Sequence, residues 1–486
     1  MKMKSHSVIL AVFIFAVFFF SSCKTQSPGN EMSITTSSKE ALNFFIDGRD
    51  KFENFENASA ASLFDKAIQT DPNFAMAYLY RSWSGGGSNI FRQNLDKAVT
   101  LIDKVSEGEK YQILYSQANA DGNGQKQKEY LDQLLKLFPS DKRVHGIAGV
   151  FYYGTSDFSN SLEHFTKSAE LDNKYAPAYN MIGYCQSALN NYQEAERAFQ
   201  TYIKLIPDKA ASYDSYAELL LKMGKYDESI VQYKKALEKD PSFFFSLTGI
   251  GNNYIFKDDY ESARKYYQEY FEQASVINEK LSALFLIATS FVHEGKVENA
   301  LKTFEEYRAL AEKENLTTNV IYSYVYEGFI VTEAGNPAEG LNFMEKAVDL
   351  VGESQLSEPV RENLITATTM MHFYALAANN ELDKASVEAE KCKARVENRK
   401  NPGEEMQLNS FLAFNEIKKG DYDKAIEYFT KADTEDPWNW YYTAMAYNNK
   451  GEKQNALKLF EKITQWNVNR LSLALVRKLA MEELKK

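Results

Sequence analysis

Residues 176–207 read APAYNMIGYCQSALNNYQEAERAFQTYIKLIP, and residues 210–241 read AASYDSYAELLLKMGKYDESIVQYKKALEKDP. The second stretch repeats the pattern of the first at a step of 34 residues, and the step extends both ways. Phe158, Tyr192, Tyr226 and Tyr260 keep it, as do Phe165, Phe199, Tyr233 and Tyr267. A small residue recurs at Gly149, Gly183, Ala217 and Gly251, and proline at Pro139, Pro207 and Pro241, with Asn173 in the missing slot. Four positions sharing one period describe units that bury their apolar faces by stacking on their neighbours. Each unit carries two apolar stripes at helical spacing around a short polar turn, such as Met223-Gly224-Lys225. Small residues are required where two helices cross closely, and proline suits the point where the second helix must stop.

The pattern resembles the tetratricopeptide repeat family. Tyr179, Gly183, Ala195, Phe199 and Pro207 occupy that family's signature places in one unit; Tyr213, Ala217, Ser229, Tyr233 and Pro241 occupy them in the next. The match is specific from Gly108 to Ser275 and looser from about Ala41 to Trp466. The resemblance implies an all-α, right-handed α-solenoid of about twelve helix–turn–helix repeats, closed by a C-terminal capping helix.

The first residues read as a targeting segment. Lys2 and Lys4 precede an unbroken apolar run from Val8 to Phe20, too short to span a bilayer. Phe20-Ser21-Ser22-Cys23 then resembles a bacterial lipobox, which implies a signal peptide over 1–22 and lipidation of Cys23. Residues 23–40 are expected as a flexible polar tether. A regular array is expected over 41–280, a less regular one with longer helices over 281–470, and the capping helix, polar on its outer face, over 471–486. The expected location is the cell envelope, lipid-anchored, at the outer membrane facing the periplasm.

Net charge is −11, and loss of Lys2 and Lys4 with the leader takes it to −13. A nucleic-acid surface needs a basic footprint, so that class is set aside. The 31 Tyr and 32 Phe are accounted for by core positions that recur in every repeat. Cys185 and Cys392 fall in distant repeats, beyond the roughly 7 Å between Cα atoms that a disulfide spans, and read as small buried hydrophobes.

Chemistry-bearing motifs are missing. His145 sits at a core position, His164 beside Glu163 on an exposed face, and His372 on an apolar helix. His293-Glu294 lacks the second histidine of a zinc-protease motif, and Gly85-Gly86-Gly87 lacks the Gly-Lys-Ser/Thr of a phosphate loop. The chain therefore reads as a non-enzyme with no cofactor and no metal.

The family resemblance assigns the concave face to certain first-helix positions. Here these give Tyr153, Asn180, Tyr184, Asp214, Glu218, Thr248 and Asn252. Asparagine amides pair with extended backbone and tyrosines give contact area, so a protein or peptide partner is expected there. The alternative is a glycan-binding lipoprotein of a carbohydrate-uptake system. Trp438, Trp440 and Trp466 would form its aromatic platform, or else serve the core and the array end.

Overall fold

A computed structural model describes residues 31–486; the leader and Cys23 lie outside the described residues. All regular structure in the described residues is helical. Contacts gather the chain into two units divided between Ile206 and Pro207, not near residue 280 where the period loosens. The change of period lies inside the second unit, where longer helices continue the same stacking.

Unit 1 holds five antiparallel pairs: α1 (Lys39–Glu53) with α2 (Asn57–Thr70), α3 (Ala75–Trp83) with α4 (Gly87–Val99), α5 (Glu107–Ala120) with α6 (Gly124–Leu137), α7 (Lys142–Gly154) with α8 (Phe158–Leu171), and α9 (Ala176–Ala188) with α10 (Tyr192–Leu205). Unit 2 holds seven more: α11 (Ala210–Lys222) with α12 (Tyr226–Lys239), α13 (Ser246–Phe256) with α14 (Tyr260–Gln273), α15 (Ile277–Glu294) with α16 (Val297–Lys313), α17 (Thr317–Glu333) with α18 (Pro337–Glu353), α19 (Glu358–Ala378) with α20 (Leu382–Arg399), α21 (Pro402–Lys419) with α22 (Tyr422–Phe429), and α23 (Pro437–Asn449) with α24 (Lys453–Gln465). A last helix, α25 (Leu471–Glu483), follows alone. This is an all-α solenoid with the expected number of repeats.

The 34-residue step has a direct backbone cause. Gly122, Ser156, Asn190, Gly224 and Asp258 stand one step apart, and all five have positive φ. A left-handed residue after the first helix reverses the chain and lets the second helix fold back. The small residues do what the crossing demands. A Cβ on Gly183 would lie 2.6 Å from the Phe199 ring, and one on Gly251 would lie 2.3 Å from Tyr267. Ser161 and Ser229, at the small position of the second helix, donate to the carbonyls of Gly149 and Ala217 and tie the pairs together.

Two terminal segments differ from expectation. Residues 31–37, assigned to a flexible tether, are docked on unit 1. The Met32 N–H donates to Asp141, Thr35 gives both its N–H and its hydroxyl to Glu109, and the Thr36 hydroxyl donates to Asp71. Hydrogen bonds and burial of Met32 and Ile34 against the core fix what composition alone reads as linker.

The C-terminal helix keeps a polar outer face, with Lys478 and Glu482 exposed, but it does not cover the last pair alone. It packs against α15, α23 and α24. Leu473, Val476 and Ala480 share a core with Phe256 and Trp438, and Leu471 and Ala474 share another with Leu284 and Phe304. Apolar residues on more than one side of α25 drive it among the first helices of unit 2.

Trp438 and Trp440 are buried. The Trp438 indole N–H donates to Glu333 at 2.9 Å, and the hydroxyls of Tyr442 and Tyr374 donate to the same carboxylate. This buried carboxylate joins α17, α19 and α23. Trp440 donates to the Thr434 carbonyl, and Trp466 meets it edge-on at 5.0 Å.

Candidate functional site

Residues of first helices α11, α13 and α15, with Tyr226 of α12 and Tyr267 of α14, face a segment of the chain itself. Residues 466–470, Trp-Asn-Val-Asn-Arg, link α24 to α25 without regular structure. Asn469 gives its amide to the Asn252 side-chain oxygen at 2.9 Å and to the Tyr267 hydroxyl at 3.1 Å. Its own oxygen meets His293 Nε2 at 3.0 Å. Two residues earlier, Asn467 accepts from the Tyr226 hydroxyl at 2.8 Å and donates to the Lys222 carbonyl. Arg477, one and a half turns into α25, pairs with Asp258 at 3.0 Å and lies over the Phe256 ring.

Electrostatics here follow from burial. Desolvation pushes the His293 imidazole down to about 4, against the smaller upward pull of its bond to Asn469. Because the Asn469 amide is spent on Asn252 and Tyr267, its oxygen is the acceptor, and the neutral ring meets it with Nε2–H. Burial also pushes the Asp214 carboxyl up to about 6, although Ser246 donates to it at 2.5 Å.

The sequence-assigned residues divide into three kinds. Asn252 accepts from Asn469 of the irregular stretch before α25. Thr248 spends its hydroxyl on the Phe245 carbonyl one turn back, while Glu218 is exposed on α11. In unit 1, Tyr153 and Tyr184 are half-buried and stand edge-on to Phe158 and Phe199. Asn180 is only 2 % exposed, with its side-chain oxygen unpaired inside the packing. The assignment of Asn180 to an open face is thereby corrected, because α9 turns that position toward its neighbours.

Residues that sequence reasoning passed over do much of the binding. Tyr226 and Tyr267 belong to the periodic aromatic positions and read as core, yet their hydroxyls meet Asn467 and Asn469. Asp71, Glu109 and Asp141 serve local turns and helix starts, Glu109 in a capping box and Asp141 as an N-cap. Their second carboxylate oxygen has no signature in a sequence.

Other candidates are structural. His145 and His164 approach through their Nδ1 atoms at 3.1 Å, with His145 Nε2 at the Pro139 carbonyl and His164 stacked on Tyr152. Cys185 and Cys392 are buried free thiols, as expected. Among the described residues no group of three or more metal-binding side chains occurs, and no helix is long and apolar enough to cross a membrane.

Tetratricopeptide repeat models match residues 176–209, 210–243, 248–315, 411–437 and 439–465. A TPR repeat-containing protein of Methanocaldococcus jannaschii is 24% identical over 273 residues, 45% of this chain and 47% of its own. Anaphase-promoting complex subunit 3 of Schizosaccharomyces pombe is 25% identical over 159 residues, 32% of this chain and 23% of its own. The chain thus spans about half or less of these two relatives. The TPR repeat-containing protein YpiA of Bacillus subtilis is 24% identical over 361 residues, 68% of this chain and 81% of its own. Among solved structures, a crystal structure of MamA aligns at 24% identity with a TM-score of 0.30, covering 35% of this chain and 95% of that one.

Proposed function

Since the chain belongs to the tetratricopeptide repeat family, we propose that it is a lipid-anchored adaptor of the cell envelope that binds a protein or peptide along its first-helix face. A scaffold that presents successive helices to one side suits an extended ligand, whose backbone is read repeat by repeat. The observation that carries the reading is the seating of residues 466–470 on unit 2. Asn252, Tyr226, Tyr267 and His293 hold two asparagines of an irregular stretch of chain through side-chain hydrogen bonds. The face therefore has the chemistry that peptide recognition needs. The role proposed is binding.

Cys23 after the apolar run supports attachment to lipid, and the acidic balance disfavours docking on anionic headgroups. Placement at the outer membrane, facing the periplasm, is part of the same proposal.

Photo-crosslinking in intact envelopes tests it. A crosslinker at Val150, exposed on first helix α7, is compared with one at Val231, exposed on second helix α12. The expected result is a discrete partner captured from position 150 and not from 231. Equal capture from both, or capture from 231 alone, would move binding off the first-helix face.

A further inference from the structure

Unit 1 carries an occupant of its own, and the fit of that occupant is incomplete. Residues 31–37, Glu-Met-Ser-Ile-Thr-Thr-Ser, lie without regular structure against four successive repeats. Three carboxylates receive them in order. Asp141 of the fourth repeat takes the Met32 N–H at 2.7 Å, Glu109 of the third takes the Thr35 N–H at 2.7 Å and its hydroxyl at 2.6 Å, and Asp71 takes the Thr36 hydroxyl at 2.6 Å and the Ser37 N–H at 2.9 Å. The segment thus runs opposite to the order of the repeats. Each acid also serves its own helix or turn. Asp141 caps α7, Glu109 closes a capping box with Ser106, and Asp71 accepts the Asn73 N–H. These acceptors are therefore held in place whether or not a strand lies across them.

Beneath the segment is a cavity of about 80 Å3, lined among others by Arg49, Tyr80, Gln112 and Arg143. Two polar atoms in its wall have no partner: Arg49 Nε and Gln112 Oε1, the latter on a side chain only 1 % exposed. Arg143 pairs with Glu53 at 2.8 Å, whereas Glu31 of the docked segment stops 4.0 Å away, at the limit of an ion pair. A buried donor and acceptor left unpaired weaken the docked state relative to any strand that satisfies them.

We propose that the first-helix face of unit 1 is a receptor for an extended partner segment, acidic at its N-terminal end and rich in Ser and Thr toward its C-terminal end, and that residues 31–37 are its displaceable resident. This inference rests on the adaptor reading and specifies the partner's chemistry. The three carboxylates select N–H and O–H donors and repel acids at the positions of Met32, Thr35 and Thr36. The arginines select one carboxylate at the position of Glu31, seated deeper than Glu31 sits. Backbone N–H groups donated to ionised acceptors give the strand its affinity, and the single carboxylate sets its register.

The test uses the full chain and a fluorescein-labelled peptide of sequence EMSITTS. Thr35→Asp with Thr36→Asp sets new acids against Glu109 and Asp71 and expels the resident, read as faster proteolysis within residues 31–37 while unit 1 keeps its cooperative melting transition. Fluorescence anisotropy is expected to show the peptide binding this variant at least tenfold more tightly than wild type. Adding Glu109→Gln, which keeps the capping box, should return binding to the wild-type level. Replacing the peptide's glutamate with glutamine should weaken it about fivefold. Equal affinities for variant and wild type, or a resident that stays protease-resistant beside two new acids, would overturn the inference. If the peptide fails while the crosslinker at position 150 still captures a partner, this inference falls and the adaptor reading stands.

Discussion

At the scale of single residues, the repeat is enforced by what cannot be added. Gly183 lies against Phe199, which is itself fully enclosed, so a larger side chain must displace a ring that has nowhere to go. Gly183→Leu is expected to cost roughly 1–3 kcal/mol or more by overpacking. Gly146, on the same kind of helix, has nothing within 4 Å of the position its Cβ would take. Gly146→Ala should instead stabilise by about 0.5–1 kcal/mol, because alanine loses less backbone freedom on folding. Chemical denaturation of both variants checks the pair. Equal shifts would mean that position in the repeat does not distinguish the two glycines. The period made Gly183 legible as a crossing residue, since a small side chain one step from Gly149 and Ala217 marks the place where two helices approach most closely. Asn180 was not legible, because a polar side chain in a helix is read as outward until the neighbouring helix is seen against it.

At the scale of elements, the segment before α25 and the helix itself close unit 2 through a buried histidine. His293 titrates near 6.5 when unfolded and near 4 when folded, as desolvation opposes its charge, with Arg477 and Lys478 pushing the same way and Asp258 against. Above pH 6.5 the ring is neutral in both states and imposes no penalty. As pH falls toward 4 the unfolded chain takes up a proton that the folded chain does not, so stability falls across that window and levels off below it. The loss is roughly 3 kcal/mol at full extent. His293→Gln, which can still donate to Asn469, should flatten the slope between pH 6.5 and 4 in denaturation series. An unchanged slope would show that other groups carry the acid sensitivity. Residues 466–470 read from sequence as the end of the array and 471–486 as a cap, since an amphipathic helix at a terminus gives no sign of which surface it will find.

At the scale of the whole molecule, the proposed function joins attachment to binding. Cys23→Ala is expected to abolish incorporation of labelled fatty acid and to leave the protein unprocessed or released from membranes. A single acyl chain holds only marginally, so stable attachment implies more than one. Undiminished labelling in that variant would remove the lipid anchor from the proposal. A net charge of −11 disfavours docking on the membrane's anionic surface in its place.

The sequence by itself determined the helix–turn–helix unit, its step, the number of repeats and the family, because these depend on local spacing: a left-handed turn residue, a glycine under a ring, a stop after the second helix. The tertiary structure alone decided where the two ends of the described chain lie. Residues 31–37 and 466–483 carry no repeat pattern, and their places follow from surfaces assembled out of several repeats at once. Glu109 and Asn252 show the reason at its smallest. Each is a helix residue with an ordinary local role, and each becomes a binding group only when a stretch of chain 74 or 217 residues away is brought within hydrogen-bonding distance.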